Sequence, residues 1–70
     1  MIPLTMARAG ETVVIRRVTG KDEVRQHLAE LGFVADGQVT VVSALAGSLI
    51  LQVKGSRVAL DKSMANRILI

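Results

Sequence analysis

The sequence predicts a mainly β domain: a small five-stranded barrel with one α-helix after the first strand and a one-turn helix before the last. The chain has 70 residues, which is the length of one small domain spanning 1–70. Val, Ile and Thr supply 19 of the 70 residues, and these types favour strands. Glycine-containing turns divide the chain into short segments, and only one segment has helical periodicity.

The first two elements are a strand and a helix. Thr12–Val18 is the first predicted strand, and it ends at Thr19-Gly20. Asp22–Leu31 is the predicted helix, with Asp22 as its N-cap and Gly32 as its left-handed stop, after which Phe33 folds back onto the helix end. Four side chains at helical spacing form one face: Val24, His27, Leu28 and Leu31.

The second half of the chain is predicted to be a strand meander. The expected elements are strands 38–45, 49–53 and 57–60, a one-turn helix 62–66 capped by Asp61, and a last strand 67–70. Five short antiparallel strands bury little as a flat sheet, whereas closure removes their edges and creates an interior. We therefore expect an SH3-like barrel, closed by its last strand on the first, with the helix over one mouth.

Composition excludes several function classes. There is no cysteine and only one histidine, which excludes disulfide frameworks, cysteine zinc sites and multi-histidine metal centres. The apolar runs are far shorter than the roughly 20 residues of a membrane span. Met1–Leu4 has no basic segment of the kind that opens a signal peptide, so we expect a cytoplasmic protein.

The sequence gives little support for catalysis or metal binding. The phosphate-loop pattern fails at Gly20-Lys21, because no glycine stands at position 15 and Asp22 follows the lysine. Glu23 and His27 lie one helical turn apart, but two ligands are too few for a closed metal site. We assign no catalytic residue, no metal ligand and no cofactor, and expect a non-enzymatic protein.

Nucleic-acid binding is also not expected. The net charge is +3, and its nine basic residues are spread along the whole chain. Arg16 and Arg17 point to opposite faces of a regular strand, so they do not serve one patch without a bulge. The single aromatic residue, Phe33, offers no stacking platform for bases.

The chain carries more apolar surface than a thin core hides. Seven strand residues are expected to fill the barrel: Val39, Val41, Leu49, Leu51, Val53, Val58 and Leu60. Val42, Ile50 and Leu69 are then left on the other side of the sheet. The mean hydropathy is +0.44. A contiguous exposed apolar patch usually marks a protein interface. The alternative is that the helix, Phe33 and the arm 4–6 cover this outer side.

The ordered motifs resemble those of the FeoA family of small cytoplasmic SH3-like domains. The resemblance begins at Pro3-Leu4 and Gly10 and continues through Leu28–Phe33, which spells Leu-Ala-Glu-Leu-Gly-Phe. Gly37 then precedes a Val-x-Val strand, and the segments 49–60 and 65–68 complete the pattern. Each motif is weak alone, but their order and spacing over nearly the whole chain are specific.

The resemblance implies an accessory role in ferrous iron uptake. Its implied partner is FeoB, the inner-membrane ferrous iron transporter with a cytosolic GTPase domain, which would bring the protein to the inner face of the membrane. Weak self-association is a second expectation. The docking surface expected from the helix end and nearby cations comprises Leu28, Leu31, Gly32, Phe33, Arg25 and Arg57.

A second interpretation is a small adaptor or regulatory module that binds another protein or nucleic acid. The same barrel resembles the C-terminal domain of iron-dependent repressors of the diphtheria toxin repressor type. In this sequence no winged-helix or metal-binding domain precedes the barrel, which disfavours a stand-alone repressor.

Overall fold

A computed structural model describes all 70 residues as six strands, two α-helices and a short 3₁₀ helix. In chain order the elements are the 3₁₀ helix Leu4–Met6, β1 Thr12–Val14, β2 Arg17–Val18, α1 Asp22–Glu30, β3 Gln38–Leu45, β4 Ser48–Val53, β5 Ser56–Asp61, α2 Lys62–Ala65 and β6 Ile68–Leu69. An antiparallel sheet has the order β1-β3-β4-β5, and β2 pairs with β6 in a second sheet. The predicted mainly β architecture, with one inserted helix and a late one-turn helix, is confirmed.

The first strand differs from the prediction of one continuous strand over residues 12–18. It is broken at Ile15 and Arg16 into β1 and β2, which belong to different sheets. The Ile15 amide donates to the Gly37 carbonyl beside β3 at 2.8 Å, and the next amide, that of Arg16, donates to the Leu69 carbonyl of β6 at 2.7 Å. The bend thus transfers the chain from one sheet to the other, which raises the strand count from five to six.

The closing strand pairs as predicted with the chain that follows the bend. Arg17 lies opposite Leu69 and Val18 opposite Ile68. The N-terminal arm extends this small sheet, because Ile2 and Ile70 exchange backbone hydrogen bonds of 3.0 and 2.8 Å. Both chain termini are therefore fixed at the same edge of the barrel.

The three central strands form a meander joined by two-residue turns. Ala46-Gly47 connects β3 to β4 and Lys54-Gly55 connects β4 to β5, and all four residues have positive φ. Positive φ at both turn positions is the geometry that matches the twist of a hairpin. The β3–β4 register shifts between Val41 and Ser43, so Val42 is a bulge residue.

Helix α1 begins differently from the prediction that Asp22 is its N-cap. The N-cap is Lys21, which has extended backbone angles and makes no side-chain capping bond. Asp22 is instead the first helical residue, and its carboxylate pairs with the exposed Arg25 one turn later. The acidic first turn still complements the positive end of the helix dipole.

The C-terminal end of α1 is a complete Schellman motif. The Gly32 amide donates to the Ala29 carbonyl and the Phe33 amide donates to the Leu28 carbonyl, each at 2.9 Å. Gly32 has a φ of +107°, as predicted for a left-handed helix stop. The motif turns Phe33 back into the core, where it is buried in the same cluster as Leu28.

Asp61 caps α2 as predicted. Its Oδ1 atom accepts hydrogen bonds of 2.8 Å from the Met64 amide and the Ser63 hydroxyl. These two donors, the amide first, lower the pKa of the Asp61 carboxyl. The cap fixes the turn that carries the chain from β5 towards the closing strand.

The interior contains twelve buried residues, all apolar: Leu4, Ile15, Leu28, Phe33, Val39, Val41, Leu49, Leu51, Val53, Leu60, Ala65 and Ile68. The inward faces of β3 and β4 were predicted correctly, whereas Val58 of β5 is only half-buried. Leu4 and Phe33 fill the interior, so they do not cover the outer side of the sheet.

Replacing Gly32 with alanine is expected to lower the free energy of unfolding by at least about 1 kcal/mol, because the residue has a positive φ. The added Cβ would also lie 3.0 Å from Lys54 Cγ and 3.2 Å from Val53 Cγ2. Gly10→Ala is the matched control, since Gly10 has a φ of +93° but open space around the added Cβ. Urea unfolding should show the larger loss for Gly32→Ala, and equal losses would contradict a packing role for Gly32.

Asp61→Ala is expected to lower Tm at neutral pH, because it removes the cap of α2. The pKa of Asp61 is lower in the folded than in the unfolded protein, so its stabilisation is present above about pH 4 and is lost as the pH falls through the folded value. The difference in Tm from the wild type should therefore narrow in acid. Asp61→Asn retains an acceptor and serves as the control, and a difference that does not change with pH would contradict this account.

Candidate docking site

The C-terminal end of α1 meets the tip of the β4–β5 hairpin. The closest approach is at Gly32, where the position of a Cβ would lie within 3.6 Å of both Val53 and Lys54 side-chain atoms. Leu31, the C-cap residue, is half-buried and packs against the core at this end of the helix. We call Leu31, Gly32 and Lys54 the α1 C-terminal patch.

The other two apolar residues of the predicted docking surface lie beneath this patch. Leu28 is fully buried and Phe33 is 1% exposed. Their side chains therefore have no surface to offer a partner. Leu31 packs against the core cluster that contains both, and it is the apolar side chain of this group that reaches solvent.

The two predicted cations occupy different surfaces. Arg25 lies exposed on α1 and pairs with the exposed Asp22. Arg57 lies on β5 opposite Gln52, and its Nε donates to the Gln52 Oε1 at 3.3 Å. Since Gln52 alternates with the buried Leu51 and Val53, Arg57 lies on the outer face of the sheet, away from the α1 C-terminal patch.

Lys54 is the residue of the patch that sequence reasoning missed. The sequence placed it in a turn between two strands, where a lysine is simply a solvated residue. Its contact with the helix end depends on the β4–β5 register and on the path of the chain after α1, which join residues more than twenty positions apart. The signal in the sequence was the glycine at position 32, because the lack of a side chain there makes room for a close neighbour.

The exposed apolar surface is elsewhere than predicted. Val42, Ile50 and Leu69 are half-buried. The large apolar side chains most open to solvent are Met1, Ile2 and Met6 on the N-terminal arm and Leu45 at the end of β3. Leu45 is 70% exposed and lies at the hairpin end opposite to Lys54.

All fifteen charged residues and His27 are exposed, and no buried residue is polar or charged. No three acidic or histidine side chains converge on one point, and the surface has no pocket. Neither helix is long and apolar enough to cross a membrane. The geometry is therefore that of a small domain whose surface features are a helix end, a sheet face and a sheet edge.

Comparison with known sequences places the chain among iron-transport relatives. The model of the FeoA domain family matches residues 2–70. A protein assigned by name to Fe(2+) transport protein A, from Methanocaldococcus jannaschii, is 27% identical over all 70 residues, which cover 85% of that protein.

Solved structures with the same fold include FeoA proteins and a repressor. A crystal structure of an iron uptake regulatory protein, FeoA, has a TM-score of 0.88 and 25% identity over 96% of this chain and 91% of that one. The zinc complex of Stenotrophomonas maltophilia FeoA, described as a prokaryotic SH3 domain protein, has a TM-score of 0.86 and 28% identity over 99% of this chain and 88% of that one. A manganese-dependent transcriptional repressor shares the fold at 22% identity and a TM-score of 0.85, over 94% of this chain and 38% of the repressor.

These comparisons confirm the SH3-like fold. Because the family model matches nearly every residue, from 2 to 70, this chain belongs to the FeoA family.

Proposed function

We propose that this protein is a non-enzymatic accessory protein of ferrous iron uptake that binds the cytosolic part of a FeoB-type transporter and supports its activity. Membership of the FeoA family and the iron-transport names of its relatives support the process. The protein acts in the cytoplasm and reaches the inner face of the membrane through its partner.

The observation that carries the docking proposal is the α1 C-terminal patch. Leu31 stands at a helix end that the Schellman bonds of Gly32 and Phe33 hold rigidly. A partner that packs on Leu31 would bury apolar surface without having to order a loop, which lowers the entropic cost of binding. The absence of a side chain at Gly32 leaves room beside Leu31, and Lys54 adds a cation at the rim.

The chemistry of the titratable groups supports binding rather than catalysis. General acids and bases work with pKa values shifted by burial or by close charges. The lowered pKa of Asp61 has a structural cause, because the hydrogen bonds that it accepts from Met64 and Ser63 cap a helix. The carboxylates and His27 are exposed, and no three of them converge on one point.

The exposed cations of the predicted site fit a steering role. The net charge of +3 and the exposed Arg25 and Arg57 would attract an acidic partner surface during diffusion. Exposed charges outside the buried contact alter the association rate and its salt dependence more than the final affinity. In this proposal Leu31 provides the affinity and the arginines accelerate the encounter.

A second candidate function is an adaptor module that binds another protein or nucleic acid. The observation that favours it is the shared fold with part of a manganese-dependent repressor. Nucleic-acid binding would show a steep loss of affinity with salt, because contacts to phosphates release counterions. Fluorescence anisotropy with a duplex DNA and a single-stranded RNA at two salt concentrations separates this function from transporter docking.

Leu31→Gln is expected to weaken binding to the cytosolic region of FeoB at least about tenfold, because it places a polar group in the apolar contact. The measurement is an NMR titration of the isotopically labelled protein with FeoB from the same organism. Shift changes should cluster at Leu31, Gly32 and Lys54.

Leu45→Gln is the matched control, since Leu45 is a more exposed leucine at the far end of the same sheet. It should bind like the wild type, and both variants should give a folded NMR spectrum. A folded Leu31→Gln variant with unchanged affinity would contradict the docking assignment.

Arg25→Glu is expected to slow association with FeoB while leaving the dissociation rate almost unchanged. The effect should disappear at high salt, because exposed charges are screened beyond a few ångströms at molar ionic strength. Stopped-flow mixing at low and high salt measures both rates. A change confined to the dissociation rate would mean that Arg25 makes a direct, desolvated contact instead.

A further inference from the structure

Strand β5 is an edge of the main sheet with unpaired backbone groups. The sheet ends at β5, which has β4 as its only neighbouring strand. The two-residue Lys54-Gly55 turn makes Val53 and Ser56 the hydrogen-bonded pair that closes the hairpin. The backbone groups of Arg57 and Ala59 and the amide of Asp61 therefore point away from β4, while the carbonyl of Asp61, the N-cap of α2, accepts the first bond of that helix. An edge of this kind is a template for another strand.

The edge lacks most of the features that normally block strand addition. β5 contains no proline, and its six residues pair with β4 in unbroken register without a bulge. Arg57, Ala59 and Asp61 are all exposed, and Val58 between them is half-buried. The side chains of these three exposed residues are thus a cation, a methyl group and an anion, spaced two residues apart along the outer face of β5.

We propose that two copies of this chain associate by antiparallel pairing of their β5 strands, with Ala59 facing Ala59 of the second copy on the two-fold axis. This register places Arg57 of each copy opposite Asp61 of the other, which forms two equivalent ion pairs. It also places Val58 opposite Leu60. Residues 57, 59 and 61 have outward backbone groups, so the charge pairing and the backbone hydrogen bonding require the same register.

Other two-fold registers of the β5 pair are less favourable, because they place like charges opposite each other or leave the charges without opposite partners. Centring the pair on residue 57 would place two arginines opposite each other, and centring it on residue 61 would place two aspartates opposite each other. Like charges directly opposite each other in a sheet are destabilising, whereas opposite charges are stabilising. Centring on Val58 or Leu60 leaves the charges without opposite partners in β5.

Both charged side chains have groups free for this contact. Arg57 uses its Nε atom on Gln52, which leaves its two terminal nitrogens. Asp61 uses Oδ1 for the α2 cap, which leaves Oδ2. Because each copy contributes only one short strand, the interface falls below the roughly 1,000 Å² typical of a stable complex, so the dimer is weak and concentration-dependent.

The test is sedimentation velocity of the full chain from micromolar to millimolar concentration at low salt. The wild type should shift from monomer towards dimer at the upper end. Arg57→Glu should weaken association at least about tenfold, since two attractive charge pairs become repulsive. Asp61→Asn, which keeps a cap acceptor, should weaken it several-fold. Arg8→Glu makes the same charge change at another exposed position and should leave association unchanged.

Isotope-filtered NMR on an equal mixture of labelled and unlabelled protein tests the register. The proposed pairing predicts an intermolecular contact between the Hα atoms of Val58 and Leu60, because a non-hydrogen-bonded antiparallel pair brings these atoms close. A protein that remains monomeric at millimolar concentration would overturn the proposal. So would a dimer that Arg57→Glu leaves intact, or intermolecular contacts confined to another surface.

Discussion

The whole architecture depends on one change of hydrogen-bonding partner, between Ile15 and Arg16. The amide of Ile15 bonds to the Gly37 carbonyl beside β3, and the amide of Arg16 bonds to the Leu69 carbonyl of β6. A single bent segment thereby belongs to both sheets and holds them as one barrel. Ile15 is completely buried at this bend, so the backbone transfer and the packing of the interior are fixed by the same residue.

The same barrel explains why the surfaces that we propose for binding lie at its edges and ends. The interior is filled by twelve apolar side chains, and the charged residues are all outside. Recognition is therefore left to what the barrel exposes, which includes the end of α1 over the β4–β5 hairpin tip and the free edge of β5. These two surfaces would bind partners through different interactions. The helix end offers a supported apolar side chain, whereas the strand edge offers unpaired backbone groups between opposite charges.

Asp61 contributes both to the fold of the chain and to the proposed association of two copies. Its Oδ1 atom caps α2, which helps to end β5 and carries the chain towards the strand that closes the barrel. Its other oxygen accepts no hydrogen bond within the chain and is the one that we propose pairs with Arg57 of a second copy. One carboxylate thus contributes to the fold and limits which register an associating strand adopts. The neighbouring outward residue, Ala59, is small enough for two copies to meet closely on the axis.

Local signals in the sequence were sufficient for most elements. Helical spacing identified α1, and Gly32 identified the end of that helix. Asp61 identified the cap of α2, and the two turn glycines identified the strand meander. Each of these signals acts over only a few residues. Tertiary structure alone decided where the first strand bends, since no glycine or proline marks a break between Thr12 and Val18. It also decided that Leu28 and Phe33 are interior, that Lys54 meets Gly32 and that β5 is an edge. Those outcomes depend on contacts between residues far apart in the chain, which helical or strand periodicity does not encode.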